Sequence, residues 1–427
     1  MSPKNAPFWW EEAPRETEQR QGLPTKVDVA IVGAGFSGLA TALVLARAGV
    51  SVAVFEAGQL GEGASSRNGG MVGPSFHKLG ISGLRAKYGQ EKTNEILRES
   101  VGFVGFLKKF LADEKIDADF VQTGRFRGAL KSAHLDVMAA QLGDLQKACG
   151  VSGEIIALED QAAETGSKRF SGGVVYHQDG GLHPAKYHAG LANIVRGEGV
   201  QILTRCPVTS LQKSSGGYEL STPLGKLQAE QVALCTNGYT GAPFGPFARK
   251  VLPLRSAMIA TDPLDADLMK RLMPKGRMCG DSRRIVAYYR PSPDGRRILF
   301  GGRSTGLKEN NSLNARLLQK SMVEIYPELA TVGISHVWSG LVAYTFDHAP
   351  HIGQQDGVYF AMGYCGSGVA RSTYFGTKLG YKILGKTERG QTAFDDIPFD
   401  GKFLYTGNPW FMPMVLNWHR LADRLGL

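Results

Sequence analysis

The apolar run Asp28-Val-Ala-Ile-Val32 leads directly into Gly33-Ala-Gly35-Phe36-Ser37-Gly38, and that junction limits what the chain can fold into. A helix-like stretch follows over Leu39–Ala48. A second β-like run, Ser51–Phe55, then ends at Glu56. This order of strand, G-x-G-x-x-G, helix, strand and acid is a dinucleotide-binding βαβ unit. Each glycine has a mechanical reason. Gly33 makes the tight turn, Gly35 lets the backbone approach a pyrophosphate, and Gly38 permits close packing of helix on strand. The phosphates are expected at the positive end of the helix dipole, and Glu56 is expected to accept from a ribose diol.

The rest of the chain is long enough to surround such a unit. Its 427 residues, 43% of them hydrophobic, predict a large core divided over two domains. Fifty-five glycines suit turn-rich, cofactor-cradling architecture. The formal charge of +10 favours an anionic partner, such as an acidic substrate or the dinucleotide itself, or else reflects a solvated basic surface. No block of basic residues marks a nucleic-acid arm. Cys149, Cys206, Cys235, Cys279 and Cys365 show neither C-x-x-C pairing nor histidine at metal spacing, so reduced thiols, a cytoplasmic location and no metal are expected. Met1–Arg20 is charged and has no apolar signal-peptide core. The longest hydrophobic stretch, Val27–Phe55, is already explained by the βαβ unit, so no transmembrane segment is expected.

Beyond residue 60 the pattern mixes helices and strands. Gly61–Gly70 is too glycine-rich for a helix. Helical spacing covers about Leu84–Glu114, Ala133–Cys149 and Pro184–Glu198. Strand candidates are Phe120–Leu130, Gly172–Tyr176, Val200–Thr204, Val208–Leu211, Gln231–Cys235, Val251–Thr261 and Val358–Met362. Arg284–Tyr289 and Arg297–Gly301 read as a hairpin closed by Pro291-Ser-Pro-Asp-Gly295. A helix-like run to about Leu384 follows Gly363-Tyr-Cys-Gly366-Ser367-Gly368, and the tail from Gly385 is expected to wrap the surface.

Taken with Glu56, the segments G-A-G-F-S-G (33–38), G-A-S-S-R-N-G-G (63–70), C-T-N-G-Y-T (235–240), Y-Y-R-P-S-P-D-G-R-R-I-L-F-G-G-R (288–303), W-S-G with D-H-A-P-H-I-G (338–353) and Y-F-A-M-G-Y-C-G-S-G-V-A (359–370) resemble the D-amino-acid oxidase/glycine oxidase superfamily of FAD-dependent amine and amino-acid oxidases. Trp9-Trp10 and the R-N-G-G loop are most similar to its γ-glutamylputrescine oxidase-type branch. The resemblance spans roughly residues 8–420. It implies a fold of class α/β plus α+β: a Rossmann-like FAD-binding domain with an inserted substrate domain built on an antiparallel sheet. Residues 25–85, 165–238 and 335–385 are assigned to the FAD-binding domain, and 86–164 and 239–334 to the substrate domain. Residues 1–24 form an N-terminal arm and 386–427 a C-terminal tail.

The resemblance also implies site residues. Gly33, Gly35, Phe36, Ser37, Gly38 and Glu56 hold the ADP half of FAD, and Val208, in the strand after Cys206-Pro207, pairs with adenine. Ser65, Ser66, Arg67, Asn68, Gly69 and Gly70 run along the pyrophosphate and one flavin face. Thr236 adds a contact, and Gly363, Gly366, Ser367 and Gly368 meet the flavin pyrimidine edge. A helix dipole there favours the anionic reduced flavin. Non-covalent FAD is expected, since Ser65 and Ser66 stand in the early loop.

The implied reaction removes a hydride equivalent from a C–H next to nitrogen, in a secondary amine, an amino acid or a γ-glutamyl polyamine. Water hydrolyses the imine, and O2 takes the electrons as H2O2. Ile298–Arg303 has no lysine, which leaves open an amine dehydrogenase with another acceptor, and a tRNA-modifying flavin oxidase is a further alternative. An NADPH-driven hydroxylase fits less well, because no second G-x-G-x-x-G follows a strand. His351, Arg303 and Tyr344 are the candidate catalytic residues. Arg303 would bind a substrate carboxylate bidentately. His351 would orient substrate, although a backbone-bonding role is the plainer alternative, and His348 is a weaker candidate. Tyr344 would line an aromatic wall or pack in the core. On the hairpin, Tyr288 and Arg290 share a face and Tyr289 points opposite; a solvated position is expected for Arg290. His77 and Lys78, after the R-N-G-G loop, are further candidates for approaching the flavin.

Overall fold

The computed structural model describes residues 2–15, 22–74, 76, 79–303 and 309–425. Two eight-stranded sheets organise them. The first sheet grows from Lys26–Val32, whose run of β-branched and small residues suits a strand covered on both faces. Val29 and Ile31 enter an apolar cluster with Leu39 and Leu43 of the helix Phe36–Ala46. Ala30 and Val32 enter a different cluster with Phe55 and Leu234. Period-two alternation thus serves two cores at once.

Around that strand the first sheet has the order His351–Gln355, Val358–Met362, Gly225–Leu234, Lys26–Val32, Val52–Phe55, Gln201–Leu203. The five strands from Val358–Met362 to Gln201–Leu203 run parallel. The strands Ser210–Ser214 and Gly217–Thr222 add an antiparallel extension beside Gly225–Leu234. The helices Phe36–Ala46 and Gly368–Ile383 lie against each other, with backbone in close approach. A Cβ on Gly376 would sit 2.3 Å from Ser37 O, and Thr41 Oγ1 donates to Gly376 O at 2.9 Å.

The second sheet runs Ile334–Tyr344, Leu252–Thr261, Ile298–Arg303, Tyr288–Pro291, Met278–Asp281, Arg125–Gly128, Gly173–Tyr176, Gly153–Ile156. Every neighbouring pair is antiparallel except Met278–Asp281 with Arg125–Gly128. Phe126, Tyr289 and Phe300 point to one side, into a core shared with Met322 and Ile325 of the helix Asn311–Ile325. The other face looks toward the first sheet. No described helix is long and apolar enough to cross a membrane.

Several sequence expectations need correction. Gly61–Gly70 does contain a helical turn, Ala64–Arg67, because Asn68 closes it by donating to Ala64 O and Ser65 O at 3.1 and 2.9 Å. The tail holds a helix, Met412–Leu425, whose Met412 and Leu416 bury against Leu254, Tyr344 and Cys365. Val208 precedes its strand, which begins at Ser210. Gly173–Tyr176 and Ile334–Tyr344 belong to the second sheet, although their positions in the chain suggested the FAD-binding unit. The helix Gly80–Asp113 packs Phe103 on Phe375 of Gly368–Ile383 at 5.8 Å and also packs on Ser132–Cys149, so it touches both units. It breaks at Gly89, whose backbone has φ 80° and ψ 170°.

Candidate functional site

A cavity of about 1490 Å³ lies between the sheets, at the carboxyl ends of the parallel strands. That position is where open α/β sheets bind ligands. One arm follows the glycine motif and the other runs under the second sheet.

In the first arm, Gly33 has φ 104°, and a Cβ there would lie 2.8 Å from Cys235 O. A Cβ on Gly38 would collide with Gly33 O at 1.9 Å, so this glycine serves the turn from behind and does not line the cavity. Gly35, Phe36 and Ser37 bring the helix N-terminus to the cavity. Glu56 accepts from Ala34 N and Gly58 N, both at 3.1 Å. Burial pushes its carboxyl above the usual range while those backbone donors pull it back. Val208 lines the same arm.

The early loop is clamped by indoles. Trp9 Nε1 donates to Asn68 O, Trp10 Nε1 to Ser66 Oγ and Trp338 Nε1 to Arg67 O, each at 2.8 Å. Arg67 returns a bond from Nη1 to Ser339 O at 2.7 Å. Ser65 Oγ accepts from Phe36 N at 3.1 Å, tying this loop to the first helix. Ser65, Arg67, Asn68 and Gly69 therefore face the cavity, while Ser66 and Gly70 are turned away into the clamp. The sequence placed Trp9-Trp10 only as a branch marker. Its structural job was legible in principle, since a buried indole needs an acceptor.

Opposite stands the late loop. Asn237 Oδ1 accepts from Gly363 N at 2.9 Å, joining Thr236-Asn237 to the turn before Gly368–Ile383. Thr236, Gly366, Ser367 and Gly368 line the cavity; Gly363, with φ 86°, shapes the turn from outside it. Two helix N-termini thus reach one space, as an anionic ligand requires.

The second arm is walled by Met258, Tyr288, Trp338 and Tyr344. Tyr288 Oη lies 3.0 Å from Ser256 Oγ, and the ring lies across from Gly69, where a Cβ would approach it to 3.2 Å. Arg290 is not a solvated hairpin residue. It is 2% exposed, donates to Gly70 O and Leu182 O, and stacks on Trp9. The backbone of Arg303 pairs with Ser256; its side chain, with all of His77 and Lys78, lies outside the described residues. His351 does not reach the cavity. Its Nε2 is 3.0 Å from Asp347 Oδ1 and its ring stacks on Phe399 at 4.3 Å. His348 has φ 60° and likewise does not line the cavity.

The residues present fit a dinucleotide. The space left beside Gly33 and Gly35 admits backbone-to-phosphate approach, and a cavity this large exceeds the usual ~300–1,000 Å³ of small-ligand sites, leaving room for a substrate as well. Comparison with known proteins agrees with that reading. A family model described as FAD dependent oxidoreductase matches residues 28–381. The chain is 31% identical over 370 residues to the probable oxidoreductase OrdL of Haemophilus influenzae, covering 85% of this chain and 84% of that one. It is 29% identical over 408 residues to the gamma-glutamylputrescine oxidoreductase of Escherichia coli, covering 94% and 93%. The crystal structure of glycine oxidase from Geobacillus kaustophilus superposes with a TM-score of 0.74 at 21% identity, over 89% of this chain and 99% of that one.

Proposed function

This chain belongs to the FAD dependent oxidoreductase family, and from that premise we propose that it oxidises a carbon–nitrogen bond in a small amine, with secondary amines, amino acids and γ-glutamyl polyamines as the substrate classes. The observation that carries this reading is the single cavity with two arms. One arm meets both glycine loops, and the other is walled by Met258, Tyr288, Trp338 and Tyr344. The names of the relatives, a γ-glutamylputrescine oxidoreductase and a glycine oxidase, support an amine donor.

Bound FAD supplies the two-electron acceptor for this oxidation and a route for the electrons to O2, released as H2O2. Gly33, Gly35, Phe36, Ser37 and Glu56 would hold its ADP half, with Val208 at the adenine. Ser65, Arg67, Asn68 and Gly69 would lie along the pyrophosphate and one ring face. Thr236, Gly366, Ser367 and Gly368 would meet the pyrimidine edge, where backbone N–H groups favour negative charge. Attachment is taken as non-covalent, with Ser65 and Ser66 rather than a Cys or His in the early loop.

The chain's own task is then orientation and exclusion of water. Met258 and Tyr288 pack close against Gly69, so a substrate is confined to the space beside that contact, held by the walls of the second arm. No side-chain base is required, since a neutral amine gives up its hydride and then its nitrogen proton to leave an imine that water hydrolyses. The test is anaerobic bleaching of the yellow holoprotein by a panel of N-methyl amino acids, D-amino acids, glycine and γ-glutamyl diamines. Bleaching by one class supports the reading and names the donor; rapid recolouring in air marks an oxidase, and slow recolouring a dehydrogenase. A holoprotein that no amine bleaches overturns it.

A further inference from the structure

Near the C-terminus the chain holds large apolar side chains out in water. Tyr405 N donates to Lys402 O at 2.9 Å and closes a turn whose two central residues are Phe403 and Leu404. Such positions favour polar residues and glycine, because a turn tip has nothing to pack against. Here Phe403 is fully exposed and Leu404 is 81% exposed. The turn is anchored from inside. Tyr405 is buried, its Oη donates to Val251 O at 2.9 Å, and its ring meets Phe346 at 5.5 Å.

The helix Met412–Leu425 continues the same surface. Met412 and Leu416, four apart, are buried with Leu254, Tyr344 and Cys365. Met414, Trp418 and Leu421, at i, i+4 and i+7, form another stripe, and all three are exposed, as is Trp410 just before the helix. Tyr405 packs on Phe411 at 6.2 Å and Phe411 on Trp410 at 5.8 Å, so turn and helix adjoin. One apolar stripe is satisfied by the core; a second one, beside an apolar tip, marks a contact surface. None of the exposed six lines the cavity, so the oxidation does not use them.

The charges indicate what covers this surface. From Gly401 to Leu425 the sequence carries Lys402, Arg420 and Arg424 against a single acid, Asp423. Lys402 is exposed at the turn itself. Arg249, also exposed, has its carbonyl 2.8 Å from where a Cβ on Gly401 would lie. Asp400, just before the turn, is offset by the charge of Lys250. We propose that Phe403, Leu404, Trp410, Met414, Trp418 and Leu421 dock the protein on the surface of a bilayer containing anionic phospholipid, with the turn inserted among the head groups and the helix lying in the interfacial plane. A fluid surface admits a convex apolar tip, whereas a rigid protein partner needs a matching socket for it. Indoles suit the boundary between head groups and acyl chains, where the ring is covered and the N–H stays hydrated. Lys402 adds attraction to lipid phosphate, and apolar burial with basic charge is the combination that holds a helix in the interface.

The test is co-sedimentation of the full-length, FAD-loaded protein with vesicles of phosphatidylcholine alone and of equal parts phosphatidylcholine and phosphatidylglycerol. Binding to the mixed vesicles is expected to be at least about tenfold tighter and to weaken as salt is raised. Phe403→Ser with Leu404→Ser is expected to lower that binding about tenfold or more, with melting temperature and flavin content unchanged, because neither side chain packs in the fold. Trp418→Ser is expected to act in the same direction. Lys402→Gln is expected to lower binding to the mixed vesicles about fivefold and to leave phosphatidylcholine binding unchanged. No binding to either vesicle, equal binding to both, or binding that the double serine variant retains overturns the proposal. So does self-association without lipid, read by sedimentation velocity, that the double variant abolishes; that result assigns the surface to a second copy of this chain.

Discussion

Arg290 Nη1 donates to Gly70 O at 3.0 Å across 220 residues of chain, and the same nitrogen reaches Leu182 O at 2.8 Å. The guanidinium is fully buried, and burial pushes its pKa down to about 10, so it stays charged at neutral pH. It pins the end of the early loop from beneath, while Trp9, lying under the same guanidinium, pins Asn68. Replacing Arg290 by Met takes a donor from Leu182 O, Pro291 O and Gly70 O, of which Gly70 O keeps its bond from Leu182 N; a buried carbonyl left unpaired costs about 1–3 kcal/mol. A fall in stability of about 2–5 kcal/mol is expected, together with faster loss of FAD, read by thermal melts and by recovery of free-flavin fluorescence. A variant that melts lower yet keeps its flavin as tightly would show that the pinning does not reach the cofactor loop.

The contact between the two cofactor-facing helices gives a second prediction. Gly376 lies where a Cβ would come within 2.3 Å of Ser37 O and 2.8 Å of Ser37 Cα, both backbone atoms that cannot swing aside. Gly376→Ala must therefore part the helices, and Tyr364 Oη, 2.5 Å from Ser37 Oγ, would lose its partner. Destabilisation of about 1–3 kcal/mol is expected from overpacking, with FAD affinity reduced about tenfold or more. Flavin titration of the stripped protein decides the matter; unchanged affinity would mean the helix N-termini move together.

How far the sequence discloses these arrangements depends on the range of the signal. Gly33, Gly35, Gly38 and Glu56 were legible because strand, turn, helix and acid are contiguous, and their constraints are local. The alternation of Tyr288 and Tyr289 was legible for the same reason: one lines the cavity and the other is buried in the core. Arg290 was misjudged because its partners, Gly70 and Leu182, lie far away in sequence and offer only backbone atoms. The strand Gly173–Tyr176 was recognised as a strand but given to the wrong sheet, since pairing with Arg125–Gly128 leaves no trace in its own residues. Asp179 carried no motif at all; only its burial, with Oδ2 3.1 Å from Arg125 Nε, singles it out.

Asp179 also makes a prediction about pH. Burial pushes its carboxyl up to about 6, from an ordinary 3.8, and Arg125 offsets this only in part. A folded-state value above the unfolded one favours the protonated form in the fold. The contribution is therefore fully present below about pH 4 and lost as pH rises through about 6. Above that, the ionised group costs up to roughly 3 kcal/mol, at 1.36 kcal/mol per unit. Asp179→Asn is expected to melt higher than the unsubstituted protein at pH 8, and by a margin about a third as large at pH 4.5. A gap that stays constant across this range would mean the carboxylate is not desolvated in solution.

His351 was the leading catalytic candidate by sequence, and its surroundings assign it a different task. Its Nε2 meets Asp347 Oδ1 at 3.0 Å, its ring lies on Phe399 at 4.3 Å, and Asp347 in turn accepts from Tyr88 Oη at 3.2 Å. Burial would raise the Asp347 carboxyl, but the hydrogen bond and charge of His351 outweigh it and hold the group well below the usual carboxylate range. A depressed carboxyl contributes stability that is present above its unfolded value near 3.8 and lost as pH falls toward the folded one. His351→Gln removes the stacked ring and weakens that depression. Expected are a loss of about 1–3 kcal/mol at pH 7 and acid unfolding that begins at higher pH, with kcat for the best amine changed by less than about threefold. A fall in kcat of a hundredfold with an unchanged melting curve would return His351 to the reacting centre. The two outcomes separate cleanly, because a side chain that only braces the strand His351–Gln355 against Phe399 has no route to the barrier except through the stability of the fold.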